Sequence, residues 1–329
     1  MTNDIYVYIE HENNFIKDVS LELLAKATEL KASRPDHNIN IVALLIGHDI
    51  SNVTNECAYH GADKIIRYKN DDLKDYHTTN YANVIAEILK ENKPSSFLIG
   101  GTPLGRDLAP RISAKMQTGL TADATHVEFN PDDESSDQLW ITRPAFGGNL
   151  FATIICPDRR PQMATIRPNV FTKSEPDNTK AAIISDFNLD ISMKKDMKYV
   201  KKIAKKLNNV EIEKAKIIVS GGRGVKQDLP LIEETAKSLN GEMAVSRAIV
   251  DEGLAPKTIQ VGQTGKTVRP VIYLACGISG AVQHTAGMDN SDMIIAINTD
   301  ENAPIFDVAD ISIVGNAQAI LTEINAKLR

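Results

Sequence analysis

The sequence has few of the residues that mark several common classes of protein. Its 329 residues include three cysteines, one tryptophan and 5% aromatic residues, and the net charge is -6. Three widely spaced cysteines are too few for a disulfide framework and do not have the spacing of a metal site. The low aromatic content gives no stacking platform for single-stranded nucleic acid, and the acidic balance gives no basic surface. We therefore expect no metal site and no nucleic-acid partner.

The sequence also lacks long hydrophobic runs and targeting segments. No uninterrupted apolar stretch is long enough to span a bilayer. The first residues, MTNDIYVYIEHE, have neither the order of a signal peptide nor the arginine-rich composition of a transit segment. These absences predict a soluble cytoplasmic protein with no membrane partner.

The first half of the chain alternates between two hydrophobic patterns. Runs such as IYVYIE, INIVALLIG, KIIRY and SSFLIGG are typical of buried parallel strands, and SLELLAKATELKAS and NYANVIAEILKEN have helical periodicity. After Gly101, the short runs THVEF, LWITR, FATIICP and PQMATIR predict extra strands or hairpins at the edge of this sheet. The stretch from Phe171 to Lys206 is polar with weak periodicity, which predicts a linker over the surface.

A second alternating series follows this predicted linker. It includes AKIIVSGG, EMAVSRAIV, TIQVGQT, VIYLACG, MIIAIN and ISIVG, with a final helix from about Ala317 to Lys327. The fold class is therefore α/β with two α/β domains. Residues 1–204, including the linker, are expected to form a nucleotide-binding-like parallel-sheet domain with extra edge strands. Residues 205–329 are expected to form a Rossmann-like domain.

The turn after VIYLACG is rich in glycine and small residues. Ser279 is a candidate N-cap for the helix that SGAVQH predicts, and Gly280 removes side-chain bulk at the approach. Unpaired N–H groups at a helix start favour a diphosphate, although a tight turn packed for its own sake gives the same pattern. The glycines do not form GxGxxG, and Asn298 stands where a ribose-binding acid is expected. A diphosphate cofactor other than NAD fits better.

Three further segments place polar residues after predicted strands of the second domain. SGGRG contains Arg223, VSRAIVDEG contains Ser246 and Arg247, and QVGQTGKTV contains Gln263 and Thr264. Because ligands gather at the carboxyl ends of strands in open α/β sheets, we expect these side chains to lie close together. Hydroxyls, amides and arginines without paired carboxylates are suited to an electron-rich heterocycle and not to hydrolysis. An arginine such as Arg247 is also commonly found in a surface ion pair.

Taken in order, these segments resemble a known family. SGGRG, SRAIVDEG, QVGQTGKTV, YLACGISGAVQHTAGM, IIAIN and NAPIFDVADISIVG resemble the FAD domain of the electron transfer flavoprotein alpha subunit over about residues 215 to 329. GGTPLGRDLAPRISAKMQTGLTAD, RPAFGGN and RPQMATIRP resemble the N-terminal half of bacterial alpha subunits more loosely. The cofactor that this resemblance implies is FAD.

The resemblance also implies roles for individual site residues, with Ser246 bonding near the flavin and Arg223 and Asn298 on the sugar and adenine side. The backbone from Ser279 to His284 would hold the FAD diphosphate, and His284 would reach the pyrimidine edge of the flavin. Thr264 would face the redox-active nitrogen, and Arg247 would lie against the ring and favour its reduction. Asn316 stands where family members often carry an acidic residue. The expected FAD-binding residues are Arg223, Ser246, Arg247, Val261, Gly262, Gln263, Thr264, Gly265, Ser279, Gly280, Ala281, Val282, Gln283, His284, Asn298 and Asn316.

The same resemblance predicts the partners. The chain would form a heterodimer with an electron transfer flavoprotein beta subunit and would carry electrons without turning over a substrate by itself. Electrons would come from a dehydrogenase or NADH and pass to an acyl-CoA dehydrogenase-like or other flavoprotein dehydrogenase. TGLTAD and RPAFGGN are similar to alpha subunits from anaerobes, which raises the hypothesis of electron bifurcation. The alternatives are a free-standing FAD or NAD(P) oxidoreductase and a nucleotide-binding sensor.

Overall fold

The structure is a computed structural model that describes residues 2–145, 150–197, 199–200 and 212–328. The described residues form two compact units, one before and one after the gap at 201–211. The expected domain boundary at residues 204 and 205 lies outside the described residues. So do the last residues of the predicted linker and the FGGN part of RPAFGGN.

The first unit is built from strands and helices that alternate as the hydrophobic pattern predicts. Its described helices are α1 (Asp18–Ala32), α2 (Ser51–Tyr59), α3 (Thr78–Asn92) and α4 (Pro103–Met116). Its described strands are β1 (Ile5–Tyr8), β2 (His11–Glu12), β3 (Phe15–Ile16), β4 (Ile41–Gly47), β5 (Lys64–Lys69), β6 (Ser96–Gly100), β7 (Leu120–Ala124), β8 (His126–Phe129), β9 (Leu139–Pro144), β10 (Phe151–Ile154), β11 (Gln162–Ile166) and β12 (Ile183–Asp186).

The main sheet of the first unit is parallel and is covered on both faces. Among the described residues it has seven strands in the order β12-β5-β4-β1-β6-β11-β7. Alternate residues of each central strand enter two separate cores, so that Val7 packs on one face with α1 and Tyr8 on the other with α3. Burial on both faces explains why β4 is apolar along its whole length.

Strand β11 corrects the prediction that PQMATIR lies at the edge of the sheet. It runs inside the main sheet between β6 and β7, and its five residues are all buried. Gln162 made the run less apolar than a typical central strand, but its side chain is hydrogen-bonded. Its Oε1 accepts from the N–H of Leu139 at 2.7 Å, and its Nε2 donates to the carbonyl of Asp137 at 2.8 Å. Burial of this amide is therefore compensated.

The predicted linker from Phe171 to Lys206 also needs a correction. Its residues 183–186 form β12, which pairs in parallel with β5 and adds an edge strand to the main sheet. Phe187, Ile191 and Met193 are partly buried against the core on one face of that sheet. Strand β12 is exposed along its length, and its two adjacent isoleucines give neither an alternating pattern nor a long apolar run from which a strand is predicted.

The second unit is a smaller parallel sheet with helices. Its described strands, β13 (Ile217–Gly221), β14 (Glu242–Val245), β15 (Ile272–Cys276), β16 (Ile294–Asn298) and β17 (Ile311–Val314), lie in the order β14-β13-β15-β16-β17. Its described helices are α5 (Leu229–Ser238), α6 (Arg247–Asp251), α7 (Val282–Thr285) and α8 (Ala317–Leu328). TIQVGQT, predicted as a strand, forms only isolated bridges at Gln260 and Val261. Within the described ranges, no helix is long and apolar enough to cross a bilayer.

Candidate functional site

A cavity of about 670 Å³ lies at the carboxyl ends of β13 and β15 in the second unit. The strand order reverses here, because β14 lies on the far side of β13 while β16 lies on the far side of β15. The chain connections therefore leave towards opposite sides, which opens a crevice between the two strand ends. Doubly wound sheets bind ligands at such a point.

Glycines bring the ends of β13 and β15 into backbone contact. The N–H of Gly222 donates to the carbonyl of Cys276 at 2.8 Å, and the N–H of Gly224 donates to the carbonyl of Gly277 at 3.1 Å. A Cβ atom on Gly222 would overlap the Gly277 carbonyl oxygen. The floor of the cavity is consequently made of backbone and not of side chains.

The turn after β15 is shaped by positive φ angles and by a later segment of the chain. Gly277 has φ +60° and Gly280 has φ +87°, and residues other than glycine rarely adopt such backbone angles. A Cβ on Gly280 would overlap the backbone of Ile305, whose N–H donates to the carbonyl of Ser279 at 3.1 Å. The N–H groups of residues 279–283 donate to no other group in the described part of the chain. Successive unpaired N–H groups of this kind bind anions.

The prediction that Ser279 is the N-cap of the following helix is wrong. Helix α7 begins at Val282, and its N-cap is Ala281, whose side chain has no hydrogen-bonding group. The positive φ at Gly280 reverses the chain before the helix starts, so Ser279 lies two residues too early to cap it. Ser279 is exposed and lines the cavity instead.

The loop from Gln260 to Lys266 packs against α7. The N–H of Gln263 donates to the carbonyl of Gln283 at 2.7 Å. Gly262 has φ +134°, and a Cβ at this position would be 2.6 Å from the same carbonyl oxygen. The Nε2 group of Gln260 donates to Oγ1 of Thr264 at 3.0 Å, which fixes the Thr264 hydroxyl at the cavity wall.

His284 lies in α7 and contributes a buried, uncharged imidazole to the cavity wall. Its burial lowers the pKa to about 4, against a smaller opposing effect of the Val261 backbone. Its Nε2 atom lies 3.0 Å from the hydroxyl of Tyr273. Its Nδ1 atom is buried and has no hydrogen-bond partner among the described residues. A buried polar atom without a partner is costly, so Nδ1 is suited to bind a ligand.

Ser246 and Arg247 lie at the carboxyl end of β14. Ser246 is the N-cap residue of α6, but its hydroxyl makes no capping hydrogen bond. Ser246 lines the cavity instead. Arg247 lines the cavity with its side chain 65% exposed, and its Nε donates to Asp251 at 3.1 Å. Arg247 is thus both a cavity residue and a member of a surface ion pair.

Arg223 and Asn298 line the side of the cavity next to β13 and β16. Arg223 is exposed at the start of a short 3-10 helix. The Nδ2 group of Asn298 donates to the carbonyl of Ile278 at 2.9 Å, and its Oδ1 accepts from the N–H of Asp300 at 3.0 Å. Asn298 therefore joins the ends of β15 and β16 and brings Asp300 to the cavity.

Comparison with known proteins follows the same division of the chain. The family model described as electron transfer flavoprotein domain matches residues 5–192, and the electron transfer flavoprotein FAD-binding domain matches residues 211–289. An electron transfer flavoprotein subunit alpha of Clostridium acetobutylicum is 45% identical over 99% of this chain and 96% of its own length. The chain belongs to the electron transfer flavoprotein alpha-subunit family.

Two further members of this electron-transport family show the range of the relatives. An electron transfer flavoprotein subunit alpha of Megasphaera elsdenii is 46% identical over 96% of this chain and 94% of its own length. A lactate dehydrogenase (NAD(+),ferredoxin) subunit of Acetobacterium woodii is 40% identical over 97% of this chain and 75% of its own length. One of these relatives is thus named for an electron transfer flavoprotein and the other for a lactate dehydrogenase.

The cofactor of this electron transfer flavoprotein subunit is FAD, as the resemblance predicted. Three features of the cavity fit this molecule. The unpaired N–H groups of residues 279–283 suit a diphosphate. The unpartnered Nδ1 of His284 suits a polar edge of a heterocycle, and the volume of about 670 Å³ lies within the range of cofactor sites. When bound, FAD supplies reversible one- and two-electron chemistry.

The cavity brings together most of the predicted FAD-binding residues. Those that line it are Arg223, Ser246, Arg247, Val261, Thr264, Ser279, Ala281, Gln283, His284 and Asn298. Others lie beside it in the loop and turn that form its wall, namely Gly262, Gln263, Gly265, Gly280 and Val282. Asn316 does not line the cavity; its Oδ1 accepts from the N–H of Ala319 at 3.1 Å and caps the start of α8. Its place among the FAD-binding residues stays a prediction.

The cavity also contains residues that sequence reasoning missed, namely Gly224, Ala248, Gln260, Gly277, Ile278, Asp300, Ala303 and Pro304. Most contribute backbone or small side chains, which carry no chemical signal in a sequence. Asp300 had a signal, because it follows β16 at the position where acidic residues commonly bind a ribose. It lies two residues beyond Asn298, at which the acid was sought.

Proposed function

We propose that this chain is the FAD-carrying subunit of a two-chain electron carrier, without substrate turnover of its own. The observation that carries the proposal is the chemistry of the cavity wall. Asp300 is the one carboxylate among the described lining residues, and His284 stays neutral near pH 7. An enzyme that moves substrate protons needs a positioned acid and base. This wall instead has groups that bind and orient a cofactor.

The chain would deliver electrons from a dehydrogenase or NADH to an acyl-CoA dehydrogenase-like or other flavoprotein dehydrogenase. Arg247 and Thr264 are the residues placed to adjust the flavin potential. Arg247 brings a fixed positive charge to the rim, which favours the negative charge that reduction adds to a flavin. Thr264 presents a hydroxyl that Gln260 holds in place.

The partner would be an electron transfer flavoprotein beta subunit, bound through residues 1–204. An exposed apolar edge in the first unit supports this assignment. Strand β10 forms the edge of the described β10-β9-β8 sheet, and Leu150 and Phe151 at its start are 67% and 65% exposed. Ile154 and Ile155 extend the apolar surface along the strand. Apolar edges of this kind are typically covered by a partner chain. Residues 205–329 would bind the FAD.

We further propose that the complex bifurcates electrons. The name of the Acetobacterium woodii relative joins NAD(+) and ferredoxin to one dehydrogenase. In such a scheme, NADH gives two electrons and a proton, and one electron passes to each of two acceptors of different potential. The beta subunit would then hold a second FAD. We place the complex in the cytoplasm, which suits the free cysteines Cys57, Cys156 and Cys276.

The test is co-purification of the chain with its beta subunit, followed by visible spectroscopy and a count of bound nucleotides. The proposal expects flavin absorbance, FAD in this chain and electron transfer only when both subunits and a partner dehydrogenase are present. A complex that stays colourless with excess FAD would refute the function. Turnover of a small molecule by this chain alone would favour the free-standing oxidoreductase. One FAD with one AMP per complex would refute bifurcation while leaving the carrier function intact.

A further inference from the structure

Tyr273 lies behind the wall of the FAD cavity and contacts His284. It belongs to β15, where it is fully buried among the apolar residues on one face of the sheet. Its hydroxyl oxygen lies 3.0 Å from Nε2 of His284, and the two rings meet edge to face with centroids 6.1 Å apart. Tyr273 is absent from the residues that line the cavity. The polar link from Tyr273 to the cofactor site therefore runs through the imidazole.

Both members of this pair keep one proton state near neutral pH. Burial lowers the pKa of His284 to about 4, so the imidazole is neutral and has a single N–H. Burial also raises the pKa of Tyr273 well above its usual value, so the phenol keeps its O–H. The position of the imidazole proton then depends on which of the two groups donates in the Tyr273–His284 hydrogen bond.

The surroundings of the phenol favour Tyr273 as the donor. If Nε2–H donated to the phenol oxygen, the phenol O–H would need another acceptor. The phenol oxygen lies 3.0 Å from Nε2 and also neighbours the buried hydroxyl of Ser220, which lowers the Tyr273 pKa, against the larger effect of burial, as a donor to that oxygen would. The Ser220 hydroxyl has no other hydrogen-bond partner in the described part of the chain. If Tyr273 donates to Nε2, the Ser220 O–H can donate to the phenol oxygen and no proton is unsatisfied, whereas the reverse direction leaves the Ser220 proton without an acceptor.

We propose that Tyr273 is a positioning residue that holds His284 with its proton on Nδ1, so that Nδ1–H donates a hydrogen bond to the flavin ring. The Nδ1 atom is the second polar atom of the imidazole and has no partner among the described residues. A hydrogen-bond donor next to the flavin stabilises the negative charge that reduction adds. Tyr273 thereby tunes the cofactor without contacting it. The inference rests on FAD binding in this cavity.

The direct test is ¹⁵N NMR of the imidazole in the FAD-loaded complex labelled with ring-¹⁵N histidine. The His284 signals are assigned by their loss in His284→Gln. The proposal expects Nδ1 with the shift of a protonated nitrogen and Nε2 with that of an unprotonated one. The opposite pattern in the unsubstituted complex overturns the proposal, and this measurement depends on no variant of Tyr273. A complex without FAD would instead refute the proposed function.

Tyr273→Phe removes the hydroxyl while keeping the ring. In the loaded complex we expect mixed protonation of the two ring nitrogens, a more negative flavin midpoint potential and FAD binding weakened about three- to tenfold. The matched control is Ser220→Ala, which removes the alternative acceptor and should leave the ¹⁵N pattern unchanged. A change of the ¹⁵N pattern in Ser220→Ala would show that Ser220, and not Tyr273 alone, sets the imidazole tautomer, which contradicts the proposal.

His284→Asn completes a double-mutant cycle. The asparagine amide nitrogen lies near the position of Nδ1 and always carries protons, so it needs no second residue to fix a tautomer. We expect Tyr273→Phe to shift the potential in the His284 background and to have little further effect in the His284→Asn background. Equal shifts in both backgrounds would show that Tyr273 acts through packing alone.

Discussion

The side-chain amide of Gln260 donates a hydrogen bond to the hydroxyl oxygen of Thr264 at 3.0 Å. Gln260 is buried, at 2% exposure, and both residues line the FAD cavity. Because the Thr264 oxygen accepts from Gln260, its own O–H remains to donate into the cavity. The pair converts a mobile hydroxyl on a loop into a donor of fixed direction.

Thr264→Val should change the midpoint potential of the flavin and leave the fold intact. Valine keeps the branched shape of threonine but removes the hydroxyl donor. We expect the flavin midpoint potential and the rate of reduction to change, with FAD content and the free energy of unfolding altered by less than about 1 kcal/mol. Spectroelectrochemistry and urea unfolding measure the two effects. Thr264→Ser, which keeps the hydroxyl, is the matched control, and loss of folded protein in Thr264→Val would assign Thr264 a structural role.

Arg247→Ala should lower the potential for the first electron. The side chain is 65% exposed and already pairs with Asp251, so water screens its charge strongly. A contribution of about 1 kcal/mol, or about 40 mV for one electron, is the expected size. Redox titration of the complex measures it. Arg247→Lys should keep most of the effect, and Asp251→Asn should move the potential the opposite way; an unchanged couple in Arg247→Ala contradicts the role.

Gly280→Ala should damage both the fold of the second unit and FAD binding. Its positive φ disfavours a side chain, and the added Cβ would overlap the backbone of Ile305. We expect a loss of about 2 kcal/mol or more in the free energy of unfolding, with loss of bound FAD. Gly253→Ala is the matched control, since Gly253 has φ +74° with nothing within 4 Å of the added Cβ. That variant should lose about 1 kcal/mol and retain FAD.

Phe151→Glu should separate the subunits without removing FAD. It places a charge in the exposed apolar edge at β10, where a partner would have to desolvate it. Size-exclusion chromatography and a pull-down with the beta subunit should show at least a tenfold weaker complex. Phe15→Glu is the matched control, because Phe15 is 75% exposed but lies on a separate two-residue strand. Equal weakening by both substitutions would count against β10 as the interface.

Glu22 should make the stability of the first unit depend on pH. Burial raises its pKa to about 7, although its carboxylate accepts from the N–H of Asn169 at 3.0 Å. Between its ordinary pKa and about 7, the folded state binds more protons than the unfolded state, so stability falls as pH rises through this window. Glu22→Gln should remove this fall and stabilise the unit above pH 7.

Urea unfolding at pH 5 and pH 8 tests the Glu22 prediction. Trp140 lies in the first unit and is the single tryptophan of the chain, so its fluorescence follows that unit. Glu91→Gln, at an exposed position on α3, is the matched control and should leave the pH dependence unchanged. A pH dependence that persists in Glu22→Gln would show that another group causes it.

Much of the fold could be predicted from the sequence because its central strands are buried on both faces. Strand β4 has seven buried residues, and a continuous apolar run of that kind indicates a parallel strand. The prediction failed where burial was unusual for the residue type. The buried Gln162 concealed the central position of β11, and the exposed β12 looked like a linker.

The predicted site succeeded where side-chain chemistry carried the signal and failed where backbone geometry did. His284, Thr264 and Arg247 could be found by their chemistry and by resemblance. Tyr273 could not, because its importance comes from a contact between β15 and α7 that a sequence does not show. Ser279 was assigned a cap because the positive φ of Gly280 is invisible in the sequence.

The Gly280 turn receives its shape from Ile305, a residue synthesised 25 positions later. In a nascent chain, the turn lacks its backbone contact with Ile305 until Ile305 has emerged from the ribosome. We therefore expect cofactor uptake only after nearly the whole second unit has emerged. The flavin colour of the holoprotein would then report that the chain has been made at least as far as Ile305.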